Sequence, residues 1–170
     1  MSAVYFIGDC HFGHNGISNK FRKEFSSDEE HNEVIHQNIL SVRGGNNQLW
    51  LLGDIFFKQS EFWRLGEYAK AFQNVHITLG NHCHPQTFIE ARKYKNVKIW
   101  GIVKKYGLWI SHAPIHECEL YRGKCLHGHT HSKSVGHPDY VCVSCEQVGY
   151  TPISLEGVME RFERQAEGNV

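Results

Sequence analysis

Apolar runs along the chain keep stopping at polar residues. Val4 to Ile7 ends at Asp9-Cys10-His11, Leu49 to Leu52 at Gly53-Asp54, and Val75 to Leu79 at Gly80-Asn81-His82. Leu108 to Ile110 ends at Ser111-His112, and Cys125-Leu126 leads into Gly128-His129-Thr130-His131. Short β-branched and aromatic runs bounded by turn residues read as buried strands. Between them lie stretches of helical period. Ser26-Ser27-Asp28-Glu29-Glu30 offers cap chemistry for a helix from Glu30 to about Val42, which Gly44-Gly45-Asn46-Asn47 would end and turn. Ser60 would cap a second helix reaching Phe72, with Phe62, Trp63, Leu65, Tyr68, Ala69 and Phe72 on its inner side and Asn74 closing it. Pro85 suits the start of a short helix to about Tyr94.

From Asn96 the pattern changes to closely spaced strands: Val97 to Trp100, Ile102 to Tyr106, Leu108 to Ser111, Lys124 to His127 and Tyr140 to Ser144. Lys104-Lys105-Tyr106-Gly107-Leu108 reads as a tight hairpin with Gly107 in the turn. Ser154 would cap a last helix that turns Val158, Met159 and Phe162 inward, and Gly168-Asn169-Val170 would fray. Strands alternating with helices imply a parallel sheet with crossovers, and the later run of strands implies an antiparallel or mixed one. Two sheets face to face with helices outside satisfy both halves. At 170 residues the chain reads as one domain, residues 1–170.

Composition narrows the classes. Eighteen Lys plus Arg balance eighteen Asp plus Glu, so no strong basic field argues for tight nonspecific binding to nucleic acid. The N-terminal run is too short for a signal peptide and no stretch approaches a membrane span, so the expected location is the cytoplasm, with the six cysteines reduced. Cys142-x-x-Cys145 lacks a second pair, since six residues lie between Cys118 and Cys125. It reads instead as a strand with the two thiols on opposite faces. Thirteen histidines are the outlier.

The strand-end residues are Asp, His and Asn, without Lys or Arg, which is divalent-metal chemistry. Asp9 and His11 point the same way in an extended segment, as do His129 and His131. Asp54 has two oxygens to share between ions; Asn81 adds a carbonyl oxygen and His112 a nitrogen. These seven residues supply donors for two ions sharing Asp54, at the ~3.5–4 Å separation usual for such pairs. A two-metal centre of this kind activates water against a phosphate ester, and His82 beside Asn81 is the candidate proton donor to the leaving group. Taken singly, each motif has a bland reading as a helix cap, a turn or a packed histidine; their ordered recurrence at successive strand ends is what carries the assignment.

Asp-x-His, Gly-Asp, Gly-Asn-His, His and Gly-His-x-His, in that order, resemble the signature of the calcineurin-like metallophosphoesterases. The resemblance covers about Val4 to Glu160. Asp9-Cys10-His11-Phe12-Gly13-His14-Asn15 and Tyr150-Thr151-Pro152-Ile153-Ser154-Leu155-Glu156 look most like the small bacterial and phage-type members. The resemblance implies a four-layer α/β/β/α sandwich of two mixed sheets. It implies one ion on Asp9, His11, Asp54 and His131, and another on Asp54, Asn81, His112 and His129. Mn²⁺ is the first expectation, with Zn²⁺, iron or Ni²⁺ as alternatives. It places Asp54 and His82 in catalysis and Asn81 and His82 against the substrate, a phosphoester. Cys83 stands where the family usually has an acid that supports the histidine, and a thiol is a poor substitute.

His14 is either a substrate-side group or a plain loop residue, and His84, His116, His127 and His137 read as structural or exposed. Phe56, Phe57, Phe62 and Trp63 read as core and site wall, with Phe56 and Phe57 near enough to Asp54 to touch a substrate. Two other functions compete. A nuclease or nucleotide-processing enzyme would use the same metals and would show a basic groove near Lys20, Arg22 and Lys23 or near Lys58 and Arg64. A non-catalytic scaffold would have lost ligands, and none is missing here.

Overall fold

The computed structural model describes residues 2–168. A five-stranded sheet runs in the order β4 (Val97–Trp100), β3 (Phe72–Thr78), β2 (Gly44–Leu52), β1 (Val4–Ile7), β9 (Ile153–Ser154). Its first four strands are parallel and β9 is antiparallel to β1. The second sheet has the order β5 (Val103–Lys105), β6 (Leu108–Ile110), β7 (Lys124–His127), β8 (Tyr140–Cys142), antiparallel at the β5–β6 hairpin and parallel thereafter. Helices α1 (Ile17–Lys20), α2 (Asp28–Ser41), α3 (Trp63–Ala71) and α4 (Thr87–Ala91) follow the early strands, and α5 (Leu155–Ala166) closes the chain. Two mixed sheets with helices outside are the arrangement the strand pattern implies.

Side-chain alternation explains the layering. Leu49 and Leu51 of β2 meet Ile35 and Ile39 of α2 and Leu65 and Tyr68 of α3, while Trp50 and Leu52 turn to the other face. There they meet Leu108, Ile110, Leu126 and Val141 of the second sheet, joined by Val158 and Phe162 of α5. All four β2 side chains are fully buried, and each is worth about 1.5–3 kcal/mol of transfer free energy. His76 of β3 lies between the sheets, stacked on Trp50 at 4.2 Å. Its Nδ1 accepts from Trp100 Nε1 and its Nε2 meets Gln48 Oε1, so both ring nitrogens are occupied.

Local chemistry sets the boundaries. Ser27 caps α2 by accepting the Glu30 N–H at 3.1 Å while Glu30 accepts the Ser26 N–H at 2.6 Å. Ser154 caps α5 through the Gly157 N–H. Tyr106 (φ 55°) and Gly107 (φ 77°) make the two-residue turn of the β5–β6 hairpin, where both residues need left-handed backbone.

Several boundaries differ from the sequence reading. Gly44 to Asn47 do not turn the chain; they extend β2, because β3 begins at Phe72 and pairs back as far as Gly44. Phe72 and Asn74 therefore belong to a strand rather than to a helix end. Ser60 makes no cap and sits in a single 3₁₀ turn, Gln59–Glu61, ahead of α3. Trp63 is exposed, with the Arg64 guanidinium over its ring at 4.4 Å, and Met159 is also exposed. The helix after Pro85 spans only Thr87–Ala91. Cys142 ends β8 and Cys145 opens a 3₁₀ turn, so the two thiols do not share a strand. Of the predicted frayed tail, Asn169 and Val170 lie outside the described residues.

Candidate metal centre

Parallel pairing of β1, β2 and β3, and of β6, β7 and β8, delivers their C-terminal ends to one rim. Asp9 and His11 follow β1, Asp54 follows β2, Asn81 follows β3, His112 follows β6, and His129 and His131 follow β7. Backbone hydrogen bonds tie these loops together. The Asp9 N–H donates to Gly53 O, His11 N–H to Asp54 O, Gly128 N–H to His112 O, and Cys145 N–H to Gly8 O. Asp9, His11, Asp54, His129 and His131 all have φ between 48° and 69°. Left-handed backbone is uncommon outside glycine, and its concentration in five candidate ligands marks a place where strain is held by the surroundings.

The donors form two groups. In the first, Asp9, His11 and His131 bring one donor atom each within 4.8 Å of one another; in the second, Asp54, His112 and His129 do the same. Asn81 joins the second group, with its Oδ1 3.0 Å from His112 Nε2. The same nitrogen lies 3.4 Å from Asp54 Oδ2 and 3.2 Å from His129 Nδ1. His112 Nδ1 donates to Leu52 O at 3.1 Å, which leaves the Nε2 lone pair facing that cluster. His131 Nδ1 similarly meets Glu146 Oε1 at 3.0 Å and leaves Nε2 toward Asp9. Asp9 Oδ1 and His11 Nε2 are buried without a hydrogen-bond partner among the described residues. Buried polar atoms without partners are costly, and a cation between them would satisfy both. The donor set, carboxylate and imidazole with one amide oxygen, fits a divalent transition metal.

Space at the rim is tight. A Cβ on Gly53 would lie 2.7 Å from the His112 Cβ and closer still to its ring. One on Gly80 would lie 2.6 Å from the Asp54 amide nitrogen. Both glycines are thus required for the loops to approach each other.

Electrostatics follow from burial and charge. Burial disfavours protonation of His112, yet Asp54, Asp9 and the Leu52 carbonyl outweigh it and its pKa lies above the ordinary value. His11 is shifted down, chiefly by burial. Burial raises the Asp54 pKa, but the His112 hydrogen bond prevails and holds it below the usual carboxylate value. Glu146 is half-buried, and despite that burial His131 and Arg22 hold it at about 2.

Sequence reasoning missed the residues behind the first group. Arg22 is 1% exposed, and its guanidinium donates to Asp9 O at 2.6 Å and to Glu146 Oε1 at 2.9 Å. Ser144 Oγ and the His129 N–H donate to Asp9 Oδ2. No short motif flags these contacts, since Glu146 lies 124 residues beyond Arg22. Of the residues that would have lined a basic groove, Arg22 and Arg64 are buried and Lys58 is engaged by Asn15, while Lys20 and Lys23 are exposed.

His82 is exposed and its N–H donates to Asp54 Oδ1 at 2.7 Å. Its ring stacks near Phe57 at 5.6 Å, and Phe57 stacks on His11 at 4.7 Å. None of the histidine–carboxylate pairs among the described residues involves His82. Cys83 does not supply the missing charge. Burial pushes its thiol up, and its Sγ accepts the Gly80 N–H at 3.1 Å, which shapes the loop. Phe56 is buried in the core and out of reach of a substrate, whereas Phe57 and His14 line the cavity over the first group.

The family model for calcineurin-like phosphoesterases matches residues 2–156. The chain belongs to this family. A relative 25% identical over 173 residues, the uncharacterized protein MJ1445 of Methanocaldococcus jannaschii, aligns over 96% of this chain and 93% of its own length. Among solved structures, a protein of unknown function from Aquifex aeolicus, AQ665, superposes with a TM-score of 0.72 at 22% identity, covering 94% of this chain and 99% of its own. That likeness supports the fold. Membership of the family, with the two carboxylate–imidazole groups on one rim, makes this a metal-dependent phosphoesterase in the general sense. No helix among the described residues is long and apolar enough to cross a membrane.

Proposed function

We propose that residues 1–170 form one metallophosphoesterase domain that hydrolyses a phosphoester at a dinuclear centre. One ion would take Asp9, His11, Asp54 and His131; the other would take Asp54, Asn81, His112 and His129. Mn²⁺ suits this mixed oxygen and nitrogen set, as do Zn²⁺, iron and Ni²⁺. The supporting observation is the pair of orphaned donors, Asp9 Oδ1 and His11 Nε2, buried beside His131 while four more donors crowd a second point on the same rim. The cations, when bound, supply Lewis acidity, which acidifies water and neutralises charge on the phosphoryl oxygens.

The chain's own groups do the rest. Asp54 would be shared between the two ions, and its Oδ1 accepts the His82 N–H, so the same carboxylate also fixes the loop carrying the acid. His82 gives a proton to the departing oxygen from the open side of the site. With no carboxylate to support it, its ring is steered by Phe57. Asn81 and His82 contact the substrate. A nucleotide is among the small phosphoesters that fit; a long nucleic acid is disfavoured because Arg22 and Arg64 point inward. Six free cysteines agree with a cytoplasmic setting.

Release of 4-nitrophenol from bis(4-nitrophenyl) phosphate and from 4-nitrophenyl phosphate, with Mn²⁺, Ni²⁺, Co²⁺ or Zn²⁺ added, tests the reading. Turnover with at least one metal is expected; none with any metal sinks it. On an ester with an alkyl leaving group, His82→Ala should lose about 10²–10⁴ in turnover with metal content unchanged.

A further inference from the structure

Two clefts leave the metal centre in different directions. One, of about 560 Å³, runs over the first donor group and contains His82, Phe57 and Phe21. The other, of about 850 Å³, is lined by His112, Ile102, Trp109, Pro114 and Ile115 and does not include His82. Asn81 and His129 line both, and so form the ridge between them.

The surface of the second cleft is mostly apolar, although His116 and Glu119 also line it. Ile102, in the connection from β4 to β5, is 61% exposed at its edge. The Trp109 indole is fixed by its Nε1–H donating to Leu120 O at 3.3 Å. Ile115 is held by the Tyr140 hydroxyl donating to its carbonyl at 2.8 Å, and the turn at Pro114 by Ser111 Oγ donating to Ala113 O at 2.6 Å. An apolar wall whose indole and backbone are held in this way costs little ordering when a ligand arrives, so burial there contributes to affinity.

Given the hydrolase reading above, we infer that the substrate is a phosphodiester whose retained substituent is apolar or aromatic and lies in the Ile102–Trp109–Ile115 cleft. The proton donor fixes which arm leaves. His82 stands in the first cleft, so the departing oxygen is there and the other arm must lie across the Asn81–His129 ridge. A monoester has no second arm and would leave the larger cleft empty. In the reaction the oxygen of water bonds to phosphorus and the P–O bond to the arm beside His82 breaks. The bond pair stays on the departing oxygen, which takes the His82 proton. One water proton remains on the new phosphoryl hydroxyl and the other passes to solvent, from which His82 is reprotonated. The products are an alcohol and the monoester of the apolar arm.

The experiment holds the leaving group constant and varies the retained arm. Phenyl 4-nitrophenyl phosphate, methyl 4-nitrophenyl phosphate and 4-nitrophenyl phosphate are compared on wild-type protein and on Ile102→Asp. The phenyl diester should exceed the methyl diester in kcat/KM by about ten- to a hundredfold in wild type. Ile102→Asp should cut that ratio at least fivefold, a comparison within each protein that cancels the esters' intrinsic reactivity. Calorimetric titration of the metal-loaded protein gives a readout without turnover: diphenyl phosphate should bind tighter than dimethyl phosphate by a similar factor, in wild type only. An equal ratio in both proteins, or a preference for the monoester, overturns the inference while the hydrolase reading stands. No turnover of any of the three esters overturns both. A concentration-dependent dimer by light scattering that Ile102→Asp abolishes would assign the cleft to a second copy and likewise overturn the inference.

Discussion

The two donor groups are made of the same residue types but are supported in opposite ways. Behind Asp9, His11 and His131 stands buried charge: Glu146 holds the His131 ring, Arg22 holds Glu146, and the same guanidinium clamps the Asp9 carbonyl. Ser144 and the His129 N–H complete the hold on the Asp9 carboxylate. Behind Asp54, His112 and His129 the hold is lighter. The Leu52 carbonyl pins one ring and the His82 N–H one carboxylate oxygen, while His129 and Asn81 are exposed. Partners that orient a ligand raise its basicity and its grip, so the first group is the fixed floor of the site. The second, whose Asn81 and His129 border both clefts, is the more open of the two.

Removing Arg22 breaks this contrast most severely. Arg22→Met keeps the length of the side chain but leaves the half-buried Glu146 carboxylate without its guanidinium, a change that costs about 1.5–3 kcal/mol. Urea denaturation of the metal-free protein measures it. A loss under about 1 kcal/mol would show that the floor is not held by charge. Glu146→Gln is gentler. It keeps the shape and an acceptor for His131 while discarding the negative charge, and should weaken metal binding at the first group by about 10–100-fold. Competition with a chromogenic chelator would resolve a weakened first site beside an unaltered second. If the second site weakens instead, the contrast between the groups runs the other way.

The unequal legibility of these two layers in the sequence has a physical cause. The donors themselves are readable because metal chemistry restricts them to a few residue types, and the parallel topology places them directly after apolar runs. Their supports are not, since an arginine can reach a site from any loop and carries no spacing. Arg22 reads as one member of a surface basic cluster, yet it is 1% exposed. Strands are readable in their apolar centres, as in Leu49 to Leu52, and unreadable at polar ends. Gly44 to Asn47 have turn composition, yet they are drawn into β2 by a partner, Phe72, that helical spacing assigns elsewhere. Helical spacing also places Trp63 inward, whereas it lies exposed beneath Arg64, a tertiary contact that periodicity does not encode. Cys83 stands out in the sequence where an acid is expected, but only the folded loop shows the thiol accepting the Gly80 N–H.

The smallest expected effect concerns the wall shared by the first group and His82, the proposed proton donor. Phe57 stacks on His11 at 4.7 Å with an interplanar angle of 25° and lies 5.6 Å from His82 at 28°. Phe57→Leu preserves most of the buried apolar volume and removes the flat ring. Aromatic pairs of this kind are worth about 0.5–1.5 kcal/mol beyond their area, so kcat should fall between about twofold and tenfold. The loss should depend on the leaving group. A 4-nitrophenolate departs without help and should show almost none of it, whereas an alkyl alcohol needs the His82 proton and should show all of it. Metal content should not change, because the leucine side chain would still cover the His11 ring. An equal loss with both leaving groups, or a loss of metal, would mean that Phe57 serves the floor of the site rather than the acid above it, and would leave His82 with no structural element to orient it.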